Sequence, residues 1–261
     1  MVCCLLPDSR HFSHHIRFML KKMIHDVTFE LPPDVNINPE SDLLLIDKPY
    51  KCTSFDVVGK VRKQVQRAVG HRVKVGHAGT LDPLATGLLL ICVGKMTKQV
   101  DTLQAQEKTY TGTFMMGATT PSYDLEKPID ATFPYEHITK EMAEEAAKKF
   151  TGDIQQVPPM FSAVKHQGER SYEIARRGEE AALTAKNITI YEFEITRFEL
   201  PEIDFRIHCS KGTYIRALAR DFGQALNSGA HLTALRRTRI GSLCVEDAIQ
   251  PEIRIRSDNN S

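Results

Sequence analysis

The stretch Gly76-His77-Ala78-Gly79-Thr80-Leu81-Asp82-Pro83-Leu84-Ala85-Thr86-Gly87 places one carboxylate among three glycines and a proline. Glycine permits sharp turns and lets a ligand approach the backbone closely. Pro83 restricts Asp82 to extended conformations and stiffens the loop. The apolar run that follows, Leu88 to Val93, is of strand length and anchors it. A carboxylate held on a rigid loop beside a buried strand suits a nucleophile or a general base. An Asp before Pro is also a common turn residue, so the pair alone does not decide between these roles. The glycines lack the Gly-x-x-x-x-Gly-Lys-Ser/Thr spacing of a phosphate cradle.

Charge points to an anionic partner only locally. The net charge is +1, and the contents of 41% hydrophobic and 26% charged residues are ordinary for a globular protein. Between Asp56 and Asp82, however, stand Lys60, Arg62, Lys63, Arg67, Arg72 and Lys74 with no acidic residue. The balancing acids gather at Glu141 to Glu145 and from Glu192 to Asp204. A basic face and an acidic face are expected. The six cysteines show no CxxC pair, the ten histidines form no metal spacing, and reduced thiols follow. No apolar run approaches the ~18 residues needed to span a membrane, and the cytoplasm is the expected location. Residues 1–40 are expected to be a poorly ordered extension, with Met19 or Met23 as alternative starts.

The elements that must position this loop can be read along the chain. Leu43 to Ile46 reads as a short buried strand. Thr53-Ser54-Phe55-Asp56 has the form of a capping box, and Val58, Val61, Val65 and Ala68 recur at helical spacing until Gly70. Tyr110 to Met116 is strand-like, and a helix is predicted over about 139–150. Two alternating strands follow between Ile188 and Cys209, with Ile203, Phe205, Ile207 and Cys209 on one face. Ile215, Leu218, Phe222 and Leu226 mark a second long helix. Strands and helices do not alternate in βαβ fashion, so an α+β fold is expected, a mixed and mainly antiparallel sheet flanked by helices. Residues 121–178 read as an insertion, and residues 251–261 as a polar tail.

The Asp82 segment resembles the catalytic motif of the tRNA pseudouridine synthase B (TruB) family, and the likeness extends over residues 43 to 248. Leu45 to Pro49 with Thr53-Ser54 resembles the family's opening motif. Lys108 to Gly117 with Thr119, Thr120 and Asp124 resembles its second motif. Gln156 to Lys165 and Tyr172 to Gly178 resemble its RNA-gripping thumb, and Cys209 to Arg216 and Gly229 to Arg237 its closing motifs. Five ordered motifs are far more specific than one.

The resemblance implies a pseudouridine synthase fold with a thumb-like insertion, and isomerisation of uridine-55 in the T stem-loop of transfer RNA by a monomer without cofactor, metal or obligate protein partner. It implies Asp82 as the essential carboxylate, Arg216 as its partner in a bidentate contact, and Tyr110 stacked on the target base. His77, Tyr214, Leu235, Lys48 and Lys98 are expected around the substrate. Lys60, Arg62, Lys63, Arg72, Lys74, Lys165, Arg176, Arg177, Arg236 and Arg237 are expected along the RNA backbone. A C-terminal RNA-binding domain found in the family is expected to be missing. A guide-RNA-dependent synthase core and a non-catalytic tRNA-folding chaperone remain alternatives.

Overall fold

The computed structural model of the protein describes residues 27–161, 165–166, 169–170, 177 and 183–255. Along the chain run β1 (Val27–Glu30), β2 (Ser41–Lys48), helix α1 (Ser54–Val69), β3 (Val75–Ala78), β4 (Thr86–Gly94), helix α2 (Val100–Ala105) and β5 (Lys108–Met116). Then come β6 (Ala118–Thr119), β7 (Ala131–Thr132), helix α3 (Lys140–Lys149), β8 (Gly152–Gln156), β9 (Lys165–His166) and β10 (Glu169–Arg170). The last part holds β11 (Lys186–Glu199), β12 (Glu202–Cys209), helix α4 (Ile215–Ala225), β13 (Ala230–Ile240), β14 (Leu243–Cys244) and β15 (Glu252–Ile255).

The central sheet runs β2-β4-β13-β5-β12-β11-β8, with β3 added on β4 and β14 on β13. Its described strand pairs are antiparallel except β13 with β4, which run parallel through Arg236↔Thr86 and Arg237↔Gly87. β3 pairs with the other half of β4, Val75↔Val93 to Ala78↔Leu90, while β2 covers the opposite edge. The sheet therefore forks along one edge of β4, and the loop bearing Asp82 emerges at that fork.

Local sequence explains the elements that build this frame. The capping box at α1 is present: Asp56 N–H donates to Thr53 Oγ1 at 3.1 Å, and Thr53 N–H donates to Asp56 Oδ2 at 2.8 Å. Gly70 ends the helix at φ 73°. Val57, Val58, Val61 and Val65 bury its inner face, and Ala68 stays exposed. Strand β12 alternates strictly, and its Ile203, Phe205, Ile207 and Cys209 point into the core. There Phe114 stacks on Phe205 with centroids 4.2 Å apart, and Phe222 of α4 reaches Phe114 at 5.3 Å and Phe193 at 5.4 Å. Burying such rings is among the largest apolar contributions available to a core.

Two expected boundaries are corrected. Residues 27–40 belong to the folded body, because Val27–Glu30 pairs with Glu252–Ile255 and Phe29 is buried in the core. The presumed tail thus supplies a strand. The segment 121–178 is not one insertion: α3 packs on the sheet through Ala143, Ala146 and Ala147, and β8 is the edge strand beside β11. The chain leaves the central sheet after Met116, returns to it as β8, and leaves it again after Gln156. No helix among the described residues is long and apolar enough to cross a membrane.

Candidate active site

The Asp82 loop is gripped through its main chain by three buried groups from three elements. Arg237 of β13 donates to Gly79 O at 3.0 Å and Thr80 O at 3.4 Å, and its Nε to Leu88 O at 2.8 Å. Ser54 at the start of α1 exchanges two bonds with Leu81: the Leu81 N–H donates to Oγ at 2.9 Å, and Oγ donates to Leu81 O at 3.1 Å. Lys48 at the end of β2 donates to Pro83 O at 3.2 Å, and to Pro49 O and Cys52 O at 2.9 and 2.6 Å. Gly87 then threads the fork at φ 101°, where a Cβ would lie 2.2 Å from Arg237 O. Only glycine fits that approach.

With its backbone held, the loop turns the Asp82 side chain toward α4. Arg216 Nη2 donates to Asp82 Oδ1 at 3.1 Å, and Nε stands 2.9 Å from Oδ2 as an ion-pair contact without the alignment of a hydrogen bond. The Arg216 side chain is 6% exposed and that of Asp82 36%, so the carboxylate opens outward while its partner is fixed behind it. The remaining donors of Arg216 reach Ser122 O at 3.2 Å and Phe161 O at 2.8 Å. Burial works against its charge, but Asp82, Asp124 and Glu126 outweigh it and hold its pKa above the ordinary arginine value. The start of α4 is itself pinned by the buried Gln156. The Tyr214 N–H donates to Gln156 Oε1 at 2.8 Å, and Gln156 Nε2 donates to Tyr214 O at 3.1 Å. Arg220 adds a bond to Val157 O at 3.0 Å, tying the chain beyond β8 to the same helix.

A cavity of about 330 Å³ opens beside the carboxylate, lined by Asp82, Tyr110, Tyr214, Arg216, Leu235 and Lys108 among others. Strand geometry explains how Leu235 and Arg237 come to face it. β13 carries a bulge between Leu232 and Ala234, which shifts the alternation so that Leu235 opposes Gly112 and Arg237 opposes Tyr110. Arg236 is thereby sent to the other face, where it pairs with Asp47 at 2.6 Å. Tyr110 is deeply buried. Burial raises its phenol pKa, and the neighbouring Arg237 guanidinium offsets this only in part.

Sequence reasoning passed over Lys108 and Asp124 as individual site residues, although both lie in the motifs that carried the resemblance. Lys108 Nζ donates to Gln104 O at 2.6 Å and to Gln106 O, and burial pulls its pKa down to about 8. Asp124 lies 3.7 Å from Arg216 Nε.

The expected set is thus partly reunited and partly dispersed. Asp82, Arg216, Tyr110, Tyr214 and Leu235 share the cavity. Two basic residues expected at RNA are engaged inside the fold: Lys48 and Arg237 are buried and donate to main-chain carbonyls, although Arg237 also borders the cavity. Arg236 is half-buried and engaged by Asp47. His77 sits on β3 with a half-buried ring, its pKa lowered by burial and then by Arg237, and Lys98 is exposed in the short helix after β4; neither lines the cavity. Lys63, Arg72 and Lys74 are exposed, Lys60 and Arg62 half-buried, and Arg177 is exposed. Arg176 and the side chain of Lys165 lie outside the described residues. No three His, Cys, Asp or Glu side chains gather as a metal set among the described residues.

Comparison with known proteins adds the family. A profile described as TruB family pseudouridylate synthase (N terminal domain) matches residues 66–215. The tRNA pseudouridine synthase B of Flavobacterium johnsoniae is 60% identical over 212 residues, covering 80% of this chain and 93% of that protein. The tRNA pseudouridine synthase B of Phocaeicola vulgatus is 56% identical over 214 residues, covering 82% and 91%. Among solved structures, a chain in a Cbf5-Nop10-Gar1 complex superposes with a TM-score of 0.60 at 26% identity, covering 86% of this chain and 61% of that one. The chain belongs to the TruB family of pseudouridylate synthases.

Proposed function

We propose that the protein isomerises uridine to pseudouridine at position 55 in the T loop of transfer RNA, as a cytoplasmic monomer, with Asp82 as the essential carboxylate. The observation that carries this reading is a carboxylate held at two points by a buried guanidinium, at the mouth of a cavity whose wall includes a buried tyrosine. The volume falls in the range of small-ligand pockets.

The reaction breaks the N1–C1′ bond, turns the uracil and joins C5 to C1′, while the C5 proton is lost and N1 gains one. No atom or electron is added, so the chain's own groups suffice. The carboxylate serves by adding to C1′ or to C6, or by removing the C2′ proton, and each route needs the same oxygen presented to the sugar. Arg216 fixes that oxygen and balances its charge. Tyr110 stacks on the base and Leu235 and Tyr214 close around it. The uridine reaches this place only after leaving its stack, a step that costs a few kcal/mol and is offset by stacking and phosphate contacts.

Guide-dependent synthases remain the alternative, but 60% identity to a tRNA pseudouridine synthase B against 26% to the Cbf5 chain supports the stand-alone reading. A purely RNA-folding protein has no use for a buried arginine committed to an outward-facing carboxylate. The test is to incubate purified protein with unmodified T-arm RNA, without guide or cofactor, and map pseudouridine. Asp82→Asn is expected to abolish product while RNA affinity stays within about tenfold. Turnover near the wild-type rate in that variant removes the assignment.

A further inference from the structure

Beside the site, Lys51 and Tyr123 are each held in a backbone conformation that their side chains disfavour. Lys51 sits at φ 63°, in the left-handed region where glycine is at ease and a lysine is not. Its turn folds Pro49 and Cys52 back so that both carbonyls accept from Lys48 Nζ. That clamp needs the turn but nothing from the Lys51 side chain. The Lys51 amine instead stands over the adjacent ring, 5.6 Å from the Tyr50 centroid. Tyr50 is 43% exposed and Phe55 66%, and the Arg62 guanidinium stands 5.8 Å from the Phe55 ring. Two exposed aromatic rings, each with its own cation, therefore flank the basic face of α1.

Tyr50 also edges an open groove of about 480 Å³ whose walls include Thr86, Thr111, Thr113 and Leu235. Thr111 and Thr113 alternate along β5 with the buried Tyr110 and Phe114, so the groove lies on the other face of that strand from the phenylalanine core. Leu235 lines both this groove and the cavity that holds Asp82. Asp204, the carboxylate in the groove wall, is already neutralised by Arg197 at 2.6 Å.

We infer that Tyr50 and Lys51 form a second RNA contact, gripping the strand that adjoins the flipped uridine. The inference rests on the function proposed above. Exposed rings stack on bases of any sequence, the amine and guanidinium answer phosphates, and threonine hydroxyls suit ribose. A lysine kept where glycine would make the same turn more easily is accounted for if its amine is needed at the surface.

The experiment measures melting temperature and binding of unmodified T-arm RNA by the full chain. Lys51→Gly is expected to raise the melting temperature by about 2 °C, since glycine adopts this φ without strain. The same change weakens RNA binding about fivefold and makes log K against log salt shallower by ~0.7. Tyr50→Ala weakens binding about tenfold, and Tyr50→Phe keeps it within about twofold. Wild-type affinity in both Lys51→Gly and Tyr50→Ala overturns the inference, and a lowered melting temperature in Lys51→Gly overturns the strain argument. Wild-type protein that binds RNA without isomerising it removes the proposed function while the binding differences still report on this surface, so the two failures are distinct.

Discussion

Arg237 and Arg197 both engage all three guanidinium nitrogens in hydrogen bonds, one inside the fold and the other on its outer face. Arg237 is buried and donates to Gly79 O, Thr80 O and Leu88 O at 2.8–3.4 Å. Arg197 on β11 makes shorter bonds, 2.6 Å to Asp204 and 2.7 Å to both Glu199 and Glu202. Those carboxylates hold its pKa above the ordinary arginine value, with Asp204 first among them. Distance would rank Arg197 higher, yet environment reverses the order. The outer network exchanges water for carboxylate in a screened setting. The inner arginine supplies donors to a buried carbonyl of Leu88 and to the part-buried carbonyls of Gly79 and Thr80, from a side chain that is itself withdrawn from water.

The sharpest way to break this contrast is Arg237→Met. It leaves two loop carbonyls and one carbonyl of β4 without their donor and is expected to lower unfolding free energy by about 3 kcal/mol or more in urea titration. A small loss would mean that water enters the fork and replaces the guanidinium.

The two buried lysines sharpen the same point through pH. Burial pulls both Lys48 and Lys108 down to about 8 from 10.5. A lysine whose folded pKa lies below its unfolded one costs stability while protonated. That cost is fully present below pH 8 and is relieved as pH rises toward 10.5. Each lysine should contribute a rise on the order of 3 kcal/mol across this window, absent from the difference curve of its methionine variant. A flat profile would place both amines in contact with solvent. Smallest of all, Arg197→Met should leave the melting temperature within about 1 °C despite removing four hydrogen bonds.

These contrasts also explain what the sequence made legible. The capping box at Thr53, the glycine stop at Gly70 and the alternation of β12 each follow from local rules, and they appear where expected. The Asp82 motif marked the loop because glycine and proline announce unusual backbone. What stayed hidden was direction. A lysine or arginine in a motif carries no sign of whether it points to RNA or to a carbonyl, so the reading of Lys48 and Arg237 as contacts missed their role as anchors. The bulge at Thr233 is equally silent in Leu232-Thr233-Ala234-Leu235, yet it decides which of Arg236 and Arg237 faces the cavity. The pairing of β1 with β15 and the docking of β8 on β11 join residues far apart in the chain, and no local period reports them.

Because the grip on the turn passes through carbonyl and amide atoms alone, position 82 behaves as a socket whose fitting can be exchanged. A photoreactive or electrophilic amino acid installed there would keep the main-chain mount of the aspartate, while the buried Arg216 would lose its carboxylate partner. Such a chain could be used to capture the nucleotide that visits this spot and to identify it by mass.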